Sequence, residues 1–178
     1  MTGATFVVVG CGSAKQDREL IPGQLQVRHY PAEDLYTSTY FEKKRLYAET
    51  VGDEWMICSA KHGLVAPDEP LAPYDVSIED LDEPELGEWA DRVGITLIEW
   101  LEWARSDGTD VGGLVVLLGQ QYLDPLRARD VFGGIDVPVS FPFEEEDLRG
   151  IGEQMAWLTD CIEAAEPTAS FQTAREIR

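Results

Sequence analysis

Three short runs of β-branched and aliphatic residues, each ending at a glycine or serine, constrain this chain more than any other feature. Thr5–Val9 runs into Gly10-Cys11-Gly12, Trp55–Cys58 into Ser59-Ala60-Lys61-His62-Gly63, and Leu114–Leu118 into Gly119-Gln120-Gln121-Tyr122. Apolar runs of this length without alternation are the pattern of strands buried on both faces. Between them lie segments of helical period. Tyr36-Thr37-Ser38-Thr39 offers hydroxyl caps for a helix over 39–51, with Tyr40, Leu46 and Tyr47 as its inner residues. After Pro84, a second helix carries Leu86, Trp89, Ala90, Val93, Leu97, Leu101 and Ala104 at helical spacing. Asp124-Pro125 is expected to open a short helix reaching Asp130, and Val137–Val139 to form a fourth strand. Glu144–Asp147 reads as a solvated acidic loop, and Ile151, Met155, Leu158 and Ile162 as the stripe of a final helix. Strands alternating with helices give an α/β fold, a partly parallel mixed sheet with flanking helices. One compact domain over residues 1–166 and a loose tail over 167–178 are expected.

Several classes of protein are excluded at this stage. At 178 residues with 44% hydrophobic content the chain can bury a core without a metal or disulfide staple. No apolar run approaches the roughly 20 residues of a membrane helix, and the opening MTGATFVVVG reads as a strand rather than a signal peptide. Three cysteines without a CxxC pair and only two histidines point away from disulfides and metal, and a cytoplasmic location is expected. Gly10-Cys11-Gly12 lacks the third glycine of a dinucleotide fingerprint, and Lys15 lacks the flanks of a P-loop, so no cofactor is expected. Asp and Glu number 34 against 14 Lys and Arg, a net charge of −20, and only Lys15, Lys43, Lys44 and Lys61 are lysines. Dispersed acid with lysine nearly removed points to a halophilic protein, and at about 1 M salt, where the Debye length is only about 3 Å, the acidity does not by itself exclude a nucleic-acid ligand. The same acidity disfavours a nucleic-acid partner held by its backbone.

In parallel sheets ligands bind beyond the carboxyl ends of strands, so the three small-residue loops are expected to converge on one site. The first supplies Cys11, Ser13 and Lys15, the second Ser59, Lys61 and His62, the third Gln120, Gln121 and Tyr122. Lys15 is a candidate amine nucleophile or anion anchor, and Cys11 a candidate thiol nucleophile. His62 is a candidate acid or base because imidazole titrates near neutrality. Pro67, Pro70 and Pro73 stiffen the loop that leads to Tyr74 and Asp75, a pair able to hold the edge of a planar polar ligand. Trp89, Trp100 and Trp103 read as helix packing or a partner patch.

The segments VGCGSAK (Val9–Lys15), AEDLYTSTYF (Ala32–Phe41) and WMICSAKHGLVAPDEPLAPYD (Trp55–Asp75) resemble a family of uncharacterised prokaryotic and phage domains. That family shares a C-x-x-x-K opening and an S-A-K-H-G-L element, and the likeness extends through Gly150–Gln154. A weaker likeness is to YaaA-like peroxide-stress proteins, through Ser13-Ala14-Lys15 and Ser59 to Tyr74. The chain departs from these at Cys11 and His62. A fainter one, to the core of archaeosine synthase, implies a nucleophilic Lys15. Together these lead to the expectation of a small-molecule ligand, nucleobase-like, with chemistry on the base or its glycosidic bond. The alternative is a non-catalytic, nucleic-acid-associated module.

Overall fold

The computed structural model describes residues 3–165. Its elements are β1 (Ala4–Gly10), β2 (Tyr30–Pro31), α1 (Ala32–Leu35), α2 (Thr39–Val51), β3 (Glu54–Ser59), β4 (Gly63–Val65) and β5 (Pro70–Leu71). They continue with α3 (Glu83–Ser106), β6 (Val111–Leu117), α4 (Gln120–Ala128), β7 (Val139–Ser140), α5 (Pro142–Glu145) and α6 (Ile151–Ala165). Five strands form one sheet in the order β4-β3-β1-β6-β7, and β2 pairs with β5 in a separate ribbon. The pairs β1–β3, β1–β6 and β6–β7 are parallel, and β3–β4 is antiparallel. The mixed α/β sheet with flanking helices is therefore present as the sequence predicts.

Side chains of β1 alternate between two separate cores, as a pleated strand requires. Phe6 and Val8 pack with Trp89, Val93, Leu97 and Leu101 of α3, together with Leu114 and Val116 of β6. Val7 and Val9 pack with Phe41, Tyr47 and Ala48 of α2 and Leu158 and Ile162 of α6. This three-layer arrangement explains why the strands read as continuous apolar runs. Helix α2 starts where Ser38 Oγ accepts the Phe41 N–H at 3.1 Å. Helix α3 starts at a reciprocal box between Asp82 and Glu85. Among the described residues no helix is long and apolar enough to cross a membrane.

Several details differ from the sequence expectation. The inner face of α2 is Phe41, Lys44, Tyr47 and Ala48, and Leu46 is 42% exposed. A lysine occupies a core position, which moves the buried stripe off the apolar residues. The helix expected to open at Asp124 begins at Gln120 and contains Pro125, and the burial of Leu123 and Leu126 offsets the missing donor. The fourth parallel strand is Val139–Ser140, and part of the acidic stretch is helical as α5. In α6 Leu158 and Ile162 are buried, whereas Ile151 is exposed and Met155 half-buried. The tail expected over 167–178 lies outside the described residues.

From β1 the chain crosses by α2 to β3 on one side, and from β4 it returns by α3 to β6 on the other. The strand order thus reverses at β1. In open α/β sheets a crevice forms at such a switch, beyond the strand ends, because the flanking loops diverge there.

Candidate functional site

A cleft of about 250 Å³ lies beyond the ends of β1 and β6, lined by Cys11, Gly12, Ser13, Lys15, the segment Asp75–Glu79, Gln121 and Tyr122. The loop after β1 forms one wall and the start of α4 another. Glycine at position 12 permits this loop to close on α2, since a Cβ there would stand 3.0 Å from Ser38 Oγ. Cys11 Sγ and Tyr122 OH are in contact at 3.3 Å. Gln121 Nε2 donates to Glu79 Oε1 across the cleft.

Behind the cleft runs a chain of hydroxyls. Ser59 is fully buried, and its Oγ accepts the N–H groups of Lys61 and His62 at 3.2 and 3.1 Å. With both lone pairs used, its own proton goes to Tyr74 OH at 2.7 Å, and Tyr74 in turn donates to Tyr36 OH at 2.6 Å. The three-residue turn after β3 makes this possible, closed by Gly63 at φ +72°. Burial, and then the neighbouring Cys11, push the Tyr36, Tyr74 and Tyr122 phenols well up, so all three remain neutral donors.

Tyr74 also organises the cations. Lys15 Nζ sits 4.5 Å from its ring centre and 5.8 Å from that of Tyr36, and donates to Ser13 O at 3.2 Å. Lys61 Nζ lies 5.7 Å from the same Tyr74 ring, and the His62 ring meets it edge-on at 5.2 Å. Burial, then Lys61 and Arg92, lower the His62 pKa, which keeps the imidazole neutral at pH 7.

Of the residues singled out from sequence, Cys11, Ser13, Lys15, Asp75, Gln121 and Tyr122 line one cleft. Ser59, His62 and Tyr74 stand behind it rather than in its lining. Lys61 lines a neighbouring depression with Arg92, Glu85 and Glu88. Gln120 lines another depression, and its Nε2 donates to Asp124 Oδ1. Three residues escaped the sequence reading. Tyr36 ends the hydroxyl chain, and Glu79 braces Gln121. Lys44, 4% exposed, donates to Gly10 O at 2.8 Å beneath the end of β1 and lies 4.2 Å from the Tyr40 ring centre. Its burial brings its pKa down to about 8. The available signal for Lys44 was the scarcity of lysine itself. Among the described residues no group of three or more His, Cys, Asp or Glu is placed to hold a metal ion.

Comparison with known proteins places the chain. A family model described as "Family of unknown function (DUF6884)" matches residues 6–160, and the chain belongs to that family. It is 31% identical over 158 residues to the uncharacterized protein YfjM of Bacillus subtilis (strain 168), covering 88% of this chain and 93% of that protein. The family match therefore takes in every residue of the cleft. No solved structure matches the chain significantly.

Proposed function

We propose that this member of the family binds a nucleobase, nucleoside or nucleotide in the cleft at the ends of β1 and β6. The associated reaction class is modification of the base or cleavage of its glycosidic bond. The observation that carries this is the convergence of the Lys15 ammonium, the Gln121 amide and the Asp75 carboxylate on one small cleft at a switch in strand order. Its volume falls below the roughly 300–1,000 Å³ typical of drug-sized ligands, which suits a single planar ring system. Lys15, pre-positioned on the Tyr74 and Tyr36 rings, anchors an electron-rich or anionic group of the ligand. Gln121 and Asp75 orient its polar edge, and Cys11 with Tyr122 supplies a thiol and a neutral phenol beside it. The resemblance to YaaA-like proteins and the runner-up role, a nucleic-acid-associated module, fit less well, because Asp75 and Glu79 at the cleft repel a phosphate backbone. The dispersed acid further supports molar salt as the working medium.

The test is a thermal-shift series in molar KCl with bases, nucleosides, nucleotides and short oligonucleotides, on the parent chain and on Lys15→Ala. A matched ligand at 100-fold excess over Kd stabilises the fold by about 2.7 kcal/mol, and the variant loses most of that shift. A response confined to oligonucleotides and equal in the variant overturns the proposal in favour of the binding module. A shift by small ligands that survives Lys15→Ala removes Lys15 as the anchor.

A further inference from the structure

The polar groups of the cleft are sorted by type, and the sorting has a consequence for the ligand. An ionised carboxylate only accepts hydrogen bonds, so Gln121 can approach Glu79 only through its Nε2. That orientation leaves Gln121 Oε1 and the second oxygen of Glu79 as acceptors with no hydrogen-bond partner among the described residues. Asp75 adds two more acceptor oxygens from the same wall, and neither Asp75 nor Glu79 is ion-paired among the described residues. The Ser77 hydroxyl, which lines the same wall, donates to Asp80 and offers the cleft no hydrogen. Apart from the second Nε2 hydrogen of Gln121, the side chains from residue 75 to 79 and at 121 therefore present acceptors to the cleft, and the one ammonium of the lining, Lys15, comes from the loop after β1.

We propose that this cleft selects bases carrying an exocyclic amino group over their oxo or hydrogen counterparts. This rests on the nucleobase reading above. An amino group, better still one next to a ring N–H, supplies the hydrogens that Asp75, Glu79 and Gln121 Oε1 require. An oxo group in its place sets oxygen against oxygen. A ring oxygen or nitrogen elsewhere on the same base meets Lys15.

Matched nucleosides test it in titration calorimetry or thermal shift: guanosine against inosine, and cytidine against uridine. The amino member of each pair is expected to bind tighter by about tenfold or more, the usual effect of a hydrogen bond to a charged acceptor. Equal binding within both pairs overturns the inference and leaves the nucleobase reading standing. No binding by any of the four, or by their bases and nucleotides, removes both. Glu79→Gln gives the sharper test, because a glutamine there can donate to Gln121 Oε1 and turn the Gln121 Nε2 toward the cleft. The preference should then shrink or reverse toward inosine and uridine, and an unchanged preference overturns the inference. Glu79 is exposed, so the unliganded melting point should not move. Should that variant fail to fold, Asp75→Asn removes an acceptor from the same wall and must also narrow the preference.

Discussion

Two lysines flank the end of β1, and each is held in a similar way, by one backbone carbonyl and a close tyrosine ring, with a second ring farther off for Lys15. Lys15 donates to Ser13 O at 3.2 Å over Tyr74, and Lys44 to Gly10 O at 2.8 Å over Tyr40. They differ in solvent. Lys15 is half-buried at the edge of a cleft, and its ammonium has room for a further acceptor. Lys44 is sealed among Phe41, Tyr47 and the end of β1, and no carboxylate lies within 4 Å of it among the described residues. The same contacts make one lysine available to a ligand and make the other a support for the loop that carries the first.

Charge reversal is the strongest way to break this comparison. Lys44→Glu puts a buried carboxylate toward the Gly10 carbonyl, and should cost about 4 kcal/mol or more. Lys15→Glu should cost less than about 1 kcal/mol, because its surroundings stay wet. Denaturant midpoints of the two variants check both, and comparable losses would show that the two sites do not differ as described.

The next effect is pH dependence. Lys44 has a lower pKa folded, about 8, than the ordinary lysine value of 10.5. Below pH 8 both states carry its proton and the full cost of burying the charge is present. Between pH 8 and 10.5 the unfolded chain binds more protons, so this lysine's contribution to stability rises with pH, by about 3 kcal/mol across the window. Cys58, Tyr36, Tyr74 and Tyr122 act oppositely at high pH, because their pKa values are raised in the fold. The difference between the parent chain and Lys44→Met isolates the lysine. It should grow in favour of the parent chain through that window, and a flat difference would place Lys44 in a wetter site.

The smallest effect concerns the platform of Lys15. Tyr74→Phe keeps the ring but removes the hydroxyl joining Ser59 to Tyr36, and should cost about 1 kcal/mol. Ligand binding should fall only modestly, because the ring face persists. Loss of binding as complete as in Lys15→Ala would mean that the hydroxyl, not the face, holds the ammonium.

Strands β1, β3 and β6 were legible because each is largely buried on both faces, so its apolar run is unbroken and its end is punctuated by glycine or serine, whereas β2, β4 and β5, of two or three residues, are too short to show such a run. Helix α3 was legible for a similar local reason, Pro84 in the first turn and an apolar residue every three or four positions. Helix α2 was legible in extent but not in facing, since its stripe includes Lys44, and a lysine scores as surface until the carbonyl it meets is known. Helix α4 was placed four residues late because Pro125 marks a helix start when no tertiary burial is weighed. The cleft shows the same division. Cys11, Ser13, Lys15, Gln121 and Tyr122 follow strand ends and could be gathered from chain position alone. Glu79 could not, because its role depends on Gln121, 42 residues away in sequence.

Local patterns of burial and punctuation, which reside in neighbouring residues, determined that this chain would be an α/β sheet with loops of small polar residues at the strand ends. The choice of which of those polar groups meet was made by tertiary structure. Strand order, the facing of α2 and the turn after β3 put Lys15 on a tyrosine, sank Lys44 beneath Gly10 and left Gln120 to line another depression. A hydrogen bond needs its partner within about 3 Å, and no spacing along a chain specifies that distance between residues far apart in sequence.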